Sequence, residues 1–229
     1  MTISYLITAC NETETLRNLL FHVILHVVPE DEIVVVLDQD NKSEETEKII
    51  LDYQKSNNNE GNFKVIYHSL HNNYGHHKNV GIEHCSKNFI FQIDGDECPP
   101  ISLLGENLRA LIDSNPTIEA YAIARINDFR GVTEEHAKQW GWRLTNSNTL
   151  NRPIVNFPDF QFRLLKNIPS IRFKRKLHEK IEGYKEYSFL PAEEEWALYH
   201  DKTIETQIAT NLRYNKEFSK SENEGHTIK

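Results

Sequence analysis

The stretch FIFQIDGDE, residues 89–97, decides how this chain is read. Its first five residues have the composition of a short buried strand. The strand runs directly into Asp94, Gly95, Asp96 and Glu97. In extended backbone Asp94 and Asp96 point to the same side. A pair of carboxylates at a strand's end is a seat for Mg²⁺ or Mn²⁺, which prefer oxygen ligands. Such an ion can neutralise a departing diphosphate. An acidic surface turn is the alternative, since Asp-Gly is a common turn dipeptide. Cys98, Pro99 and Pro100 then force the chain away from the sheet.

Working outward, residues 3–8, 33–37, 63–67 and 120–126 are apolar runs that read as further strands. Between them lie helical spacings. Leu16, Leu19, Leu20, Val23, Ile24 and Val27 form the first, ended by Pro29. Ser43 caps a second with Ile49, Ile50 and Tyr53. Residues 76–85 form a short third, and residues 102–114 a fourth carrying Leu104, Leu108, Leu111 and Ile112. This alternation predicts an α/β fold with a doubly wound, mostly parallel sheet. Ligands of such sheets bind beyond the carboxyl ends of the strands. Polar residues gather there: 8–12, 38–40 and 94–97. The second half is less regular. Residues 128–158 read as a long loop holding Trp140, Gly141 and Trp142, residues 160–165 alternate like a strand, and residues 203–218 form a helix. SNNNEG (56–61) reads as a polar loop and residues 219–229 as a frayed tail.

The chain of 229 residues suggests one domain and can bury a proper core. Lys and Arg number 26 against 34 Asp and Glu, a net charge of −8, which argues against gripping a polyanion with the whole surface. The three cysteines, Cys10, Cys85 and Cys98, are widely spaced and form no CxxC pair, so neither a disulfide framework nor a zinc ribbon is supported. No signal peptide or membrane span is legible. The expected location is cytoplasmic, or the host cytoplasm if the gene is viral.

Several residues around this frame carry chemistry. Thr8, Cys10, Asn11 and Glu12 follow the first strand and Asp38 the second, where acceptors can hold a base and a ribose; helix capping and turn building are the alternatives. No GxGxxG or GxxxxGK[ST] is present, which speaks against a dinucleotide or P-loop cradle. Lys78 and Asn79 sit near the start of a helix, suited to a phosphate. Glu179, between cations in KLHEK, is a candidate general base, with Asp159 its rival; a surface ion pair is the plainer reading. His200 is either a neutral metal ligand or a structural histidine.

Taken together, ITACNE (7–12), His77-Lys78-Asn79, FIFQIDGDE, PDFQFRLLKN (158–167), KLHEKIEG (176–183) and EEWALYHDKTIETQ (194–207) resemble a family 2 glycosyltransferase of the GT-A fold, over roughly residues 3–214. The likeness is to compact bacterial and phage-type members. It implies a single GT-A-like domain, with a nucleotide-sugar half at about 1–127, an acceptor and catalytic half at about 128–218, and a tail. It implies that Asn11, Glu12 and Asp38 line the nucleotide pocket, and that Lys78 lies near the diphosphate. Asp94 and Asp96 match the DxD motif, with Gly95 between them and Asp96 nearer the metal. His200 completes the Mn²⁺ or Mg²⁺ site. Glu179 falls at the catalytic base, where the family's "ED" pair reads His178-Glu179. Arg163 assists the leaving diphosphate, and Trp140, Trp142 and His178 lie on the acceptor side. The implied reaction is inverting transfer from a nucleotide-sugar, UDP-linked, to a glycan or other hydroxyl acceptor, by a monomer or homodimer. Hydroxymethylated DNA is an alternative acceptor, through the cluster Arg172, Lys174, Arg175 and Lys176. A non-catalytic nucleotide-sugar binding module is an alternative function.

Overall fold

The computed structural model describes residues 1–56 and 62–223; most of the SNNNEG stretch and residues 224–229 of the tail lie outside the described residues. The first half follows the expected alternation. β1 (Ile3–Ala9), α1 (Glu14–His26), β2 (Glu32–Asp38), α2 (Glu44–Ser56), β3 (Phe63–His68), α3 (Tyr74–His84) and β4 (Phe89–Asp94) come in that order. The four strands pair in parallel as β3-β2-β1-β4. Every residue of β2 is buried, as its unbroken apolar run requires. Ile3, Tyr5, Ile7, Val35 and Leu37 pack one face of the sheet against Leu16, Leu19, Leu20 and Val23 of α1. Leu6, Val34 and Val36 pack the other face against Ile82 of α3.

The second half departs from a simple winding. β5 (Glu97–Cys98) and a single 3-10 turn at Ile101–Leu103 precede α4 (Gly105–Ser114), so this helix starts later than expected. β6 (Ala120–Arg130) runs past residue 126 and does not lie beside β4. The region expected to be a loop is mostly ordered. It holds α5 (Glu134–Trp140), β7 (Leu144–Asn146) and the start of β8 (Pro153–Lys166). β8 inserts between β4 and β6, antiparallel to both. β9 (Arg172–Lys174) and β10 (Lys180–Glu182) form a separate hairpin. β11 (Tyr187–Phe189) and β12 (Leu198–Thr203) both pair in parallel with β6. α6 (Ile204–Glu217) and α7 (Lys220–Asn223) close the described chain, so the tail begins with helix. The full order is β3-β2-β1-β4-β8-β6-β12-β5, with β7 and β11 off this path. This mixed α/β sheet, mostly parallel and flanked by helices, brings the ends of β1, β4, β6, β8 and β12 together.

Candidate active site

Thr8 on β1 lies level with Asp94 on β4, and its hydroxyl donates to Asp94 Oδ1 at 2.8 Å. Gln92, two residues back on the same face, donates to the same oxygen at 2.8 Å. Asp94 Oδ2 accepts from Arg163 of β8 at 2.8 Å. Lys78 of α3 meets the carboxylate at 3.1 Å and is also paired with Glu179. Arg163 continues to Gln92 and to Glu97, the latter at 2.6 Å. Arg125 of β6 extends the chain of charges, reaching Glu97 at 3.5 Å and Asp159 at 2.8 Å. Burial alone would raise the Asp94 pKa. Arg163 and Lys78 outweigh it, and the carboxyl is held well below the usual range. These buried charges are tolerated because each finds an opposite partner.

Asp94 and Asp96 do not share a side, contrary to the reading from extended backbone. β4 ends at Asp94 and the chain turns at Gly95. The Gly95 amide donates to the Thr8 carbonyl at 2.8 Å, and a Cβ there would stand 3.1 Å from that oxygen. Asp96 is thereby carried to β12. Its Oδ2 faces His200 Nε2 at 3.3 Å and Lys202 Nζ at 2.8 Å.

The His200 tautomer follows from its neighbours. Asn127 donates through Nδ2 to Asp159 at 3.0 Å, which assigns its Oδ1 as acceptor. His200 Nδ1 donates to that Oδ1 at 2.8 Å. Burial pushes the His200 pKa down, against the pull of Asp96, and favours the neutral ring. Its Nε2 lone pair then confronts a carboxylate oxygen, an arrangement that a cation between them would relieve. Asp96 and His200 fit as two protein ligands of a divalent ion whose remaining ligands are water and substrate phosphate. The expected third ligand, Asp94, is committed to Lys78 and Arg163. Among the described residues no group of three or more His, Cys, Asp or Glu is disposed to hold a metal.

Glu179 lies between β9 and β10, just after Arg175 and His178, which both have positive φ. Burial would raise its pKa, but Lys78 outweighs burial and holds it below the usual carboxylate range. Lys78 is its one ionic partner among the described residues. Asp159 differs. Arg125 and Asn127 fill one of its oxygens and Gln161 the other, at 3.0 Å. Glu12 folds back to accept from the Cys10 amide at 2.7 Å, and burial together with Asp96 and Asp94 raises its pKa. Asn11 is exposed beside it.

Other expected ligands are occupied by the fold. Arg163 is 4% exposed and its contacts are internal, so it acts as a buried counter-ion and not as a diphosphate contact. The Asn79 amide exchanges two hydrogen bonds with the Phe173 backbone, each 2.9 Å, and so holds β9. Asp38 accepts from Asn41 at 2.8 Å and from the Leu70 amide at 3.2 Å, which builds the turn after β2. Trp140 and Trp142 stack at 6.0 Å, and Trp142 lies against Phe129, whose ring meets His200 at 5.8 Å. They back the histidine. His178 is 3.3 Å from Asn223 and lies under Tyr214 of α6.

The model of the family described as glycosyl transferase family 2 matches residues 4–169. The chain belongs to glycosyl transferase family 2. A poly-beta-1,6-N-acetyl-D-glucosamine synthase of Staphylococcus epidermidis is 30% identical over 94 residues, covering 41% of this chain and 21% of the synthase. The chain thus matches about a fifth of the length of that curated relative. Among solved structures, S. aureus TarS 1–349 superposes with a TM-score of 0.59 at 19% identity, over 96% of this chain and 68% of that one. The same TarS fragment in complex with UDP-GlcNAc gives 0.59 at 17%, over 96% and 69%. The mannosyltransferase PcManGT from Pyrobaculum calidifontis, in complex with GDP-Man and Mn²⁺, gives 0.60 at 14%, over 99% and 65%. These likenesses establish the GT-A fold.

Motif reading of this family 2 chain passed over Gln92, Arg125, Asn127 and Lys202. Arg125 and Asn127 left a signal, because they stand two apart directly after the apolar run of residues 120–124 and share a face. Lys202 left one too, two residues after His200 on β12.

Proposed function

We propose that this family 2 protein is an inverting, metal-dependent glycosyltransferase that moves a sugar from a UDP-sugar to a hydroxyl group of an acceptor saccharide. The observation that carries the reading is the Glu179–Lys78–Asp94 chain of charges at the ends of β1 and β4. It places an ionised carboxylate with one ionic partner beside the strand ends where an α/β sheet binds its ligands. Glu179 takes the proton of the acceptor hydroxyl. The acceptor oxygen attacks the anomeric carbon from the face opposite the nucleotide, the bond to the diphosphate breaks, and the sugar inverts. Asp159 is the weaker candidate base, since both of its oxygens are filled.

Thr8, Cys10, Asn11 and Glu12 form the rim on which the nucleotide rests, and Asp38 shapes the turn behind it. Lys78, buried between Asp94 and Glu179, lends positive potential to the diphosphate. Asp96 and His200 would hold Mn²⁺ or Mg²⁺, whose charge would offset that of the leaving diphosphate. The UDP-GlcNAc complex of TarS and the Mn²⁺ complex of PcManGT support this reading. Modified DNA is the weaker acceptor. Arg172 and Arg175 bind backbone carbonyls of their own chain and Lys176 pairs with Glu222.

The test is release of nucleotide from UDP-GlcNAc, UDP-glucose and GDP-mannose, each with and without Mn²⁺ and a saccharide acceptor. Cleavage of a UDP-sugar that needs Mn²⁺ is expected. Nucleotide binding without cleavage of any donor would overturn the reading in favour of a binding module.

A further inference from the structure

Besides the neutral His200, the Asp96 carboxylate carries a cation that the family motifs do not call for. Lys202 Nζ stands 2.8 Å from Asp96 Oδ2, the same oxygen that faces His200 Nε2 at 3.3 Å. The placement is built in. His200 and Lys202 are two apart on β12, so both point to one face, and β12 pairs in register with β6 and β5. Asp96 is the one ionic partner of Lys202 among the described residues.

The two cationic settings differ in how firmly they are held. Arg163 is buried and fixed by Gln92, Asp94 and Glu97. Lys202 is partly open, with its side chain 21% exposed, and it ends a flexible four-carbon stem. It can therefore leave Asp96 at modest cost. With it in place, the charge of Asp96 is answered, although the His200 Nε2 lone pair still faces the same oxygen. A divalent ion arriving at the same oxygen meets a carboxylate whose charge is already answered.

We infer that Lys202 is a resident counter-ion that competes with the divalent metal for Asp96, so that the metal site loads by displacing an ammonium. The inference rests on the assignment of Asp96 and His200 as metal ligands. Lys202 then sets the metal concentration at which the site fills, and it stabilises the metal-free protein.

The experiment is a titration with Mn²⁺ followed by the paramagnetic resonance of the free ion, alone and with UDP or GDP. It compares the wild-type chain, Lys202→Met, Lys202→Gln, Lys202→Arg and Asp96→Asn. Hydrogen bonds to charged groups set the scale, and both neutral variants are expected to bind Mn²⁺ about tenfold more tightly. Lys202→Arg is expected to stay at or below wild-type affinity, and Asp96→Asn to lose saturable binding. Equal or weaker binding by both neutral variants, with Asp96→Asn still inactive in binding, overturns the competition and leaves the metal reading standing. Absence of saturable binding in every variant overturns the metal reading and the inference with it. The two neutral side chains differ in polarity and shape, so a folding defect in one does not remove the comparison.

Discussion

Asp94 and Asp96 are separated by one glycine and sit in opposite kinds of environment. Asp94 is closed in. Two neutral donors and two cations hold it, and it joins four elements of the fold. Asp96 is open. One of its oxygens carries a histidine and a displaceable lysine. Two carboxylates of one motif thus divide the work. The first ties the sheet to α3 and to the Glu179 segment, and the second is the one proposed to meet the metal. What separates them is the turn at Gly95, which ends the strand alternation.

The largest expected effect lies at the end of the closed network. Glu179→Gln keeps the shape but removes the proposed base, and transfer is expected to fall about 10²- to 10⁴-fold in kcat with nucleotide affinity little changed. Equal losses in nucleotide affinity and kcat would make Glu179 a donor-binding residue. Next comes Asp94→Asn. It leaves Lys78 and Arg163 undercompensated in a buried setting, and a loss of about 3 to 5 kcal/mol is expected in urea unfolding.

Burial also sets the titration of two histidines, His77 and His200. His77 is buried against His68, with the two Nδ1 atoms 2.9 Å apart. Burial, with help from His68, pushes the His77 pKa down to about 4. The unfolded chain therefore binds a proton between about pH 4 and 6.5 that the folded protein refuses, and stability rises with pH across that window. A gain of up to about 3 kcal/mol is expected on raising the pH from 4 to 7. His200, also lowered by burial, adds to the same window. His77→Gln should flatten most of this rise; an unchanged slope in urea unfolding at several pH values would assign it elsewhere.

A smaller effect tests the joint between α3 and the Glu179 segment. A Cβ on Gly75 would run into the Arg175 carbonyl oxygen, and the Tyr74 amide donates to the Lys176 carbonyl at 2.8 Å. Gly75→Ala is expected to cost about 1 to 3 kcal/mol by overpacking. Transfer should fall with it, because the segment that carries Glu179 is pushed off α3. Normal transfer at reduced stability would show that the segment tolerates the shift.

Much of the first half was legible from residue pattern alone. IVVVL and FIFQI are strands buried by their apolar continuity, and Leu16, Leu19, Leu20 and Val23 mark one helix face. β8 and β12 were harder. β8 places Asp159, Gln161 and Arg163 within the sheet, and β12 reads LYHDKT. Their polar residues are satisfied by partners on other elements, which apolar patterning does not report. The meeting of Glu179 with Lys78 is likewise long-range. Of the ligands carried over from the family, Asp96 and His200 face each other, whereas Asn79 and Arg163 are taken up by the fold. An amide or guanidinium serves the backbone or a buried carboxylate as readily as a substrate, and only the fold says which.

The most direct measurement of the division between the two aspartates sets Asp94→Asn beside Asp96→Asn in thermal unfolding, each with and without UDP and Mn²⁺. A ligand at 100 times its Kd adds about 2.7 kcal/mol, which is readily seen. Asp96→Asn is expected to lose less ligand-free stability than Asp94→Asn, because it strands one partly exposed lysine and not two buried cations, and to lose the Mn²⁺-dependent part of the shift. Asp94→Asn is expected to be destabilised before any ligand is added. A full Mn²⁺-dependent shift in Asp96→Asn, or undiminished stability in Asp94→Asn, would contradict the account.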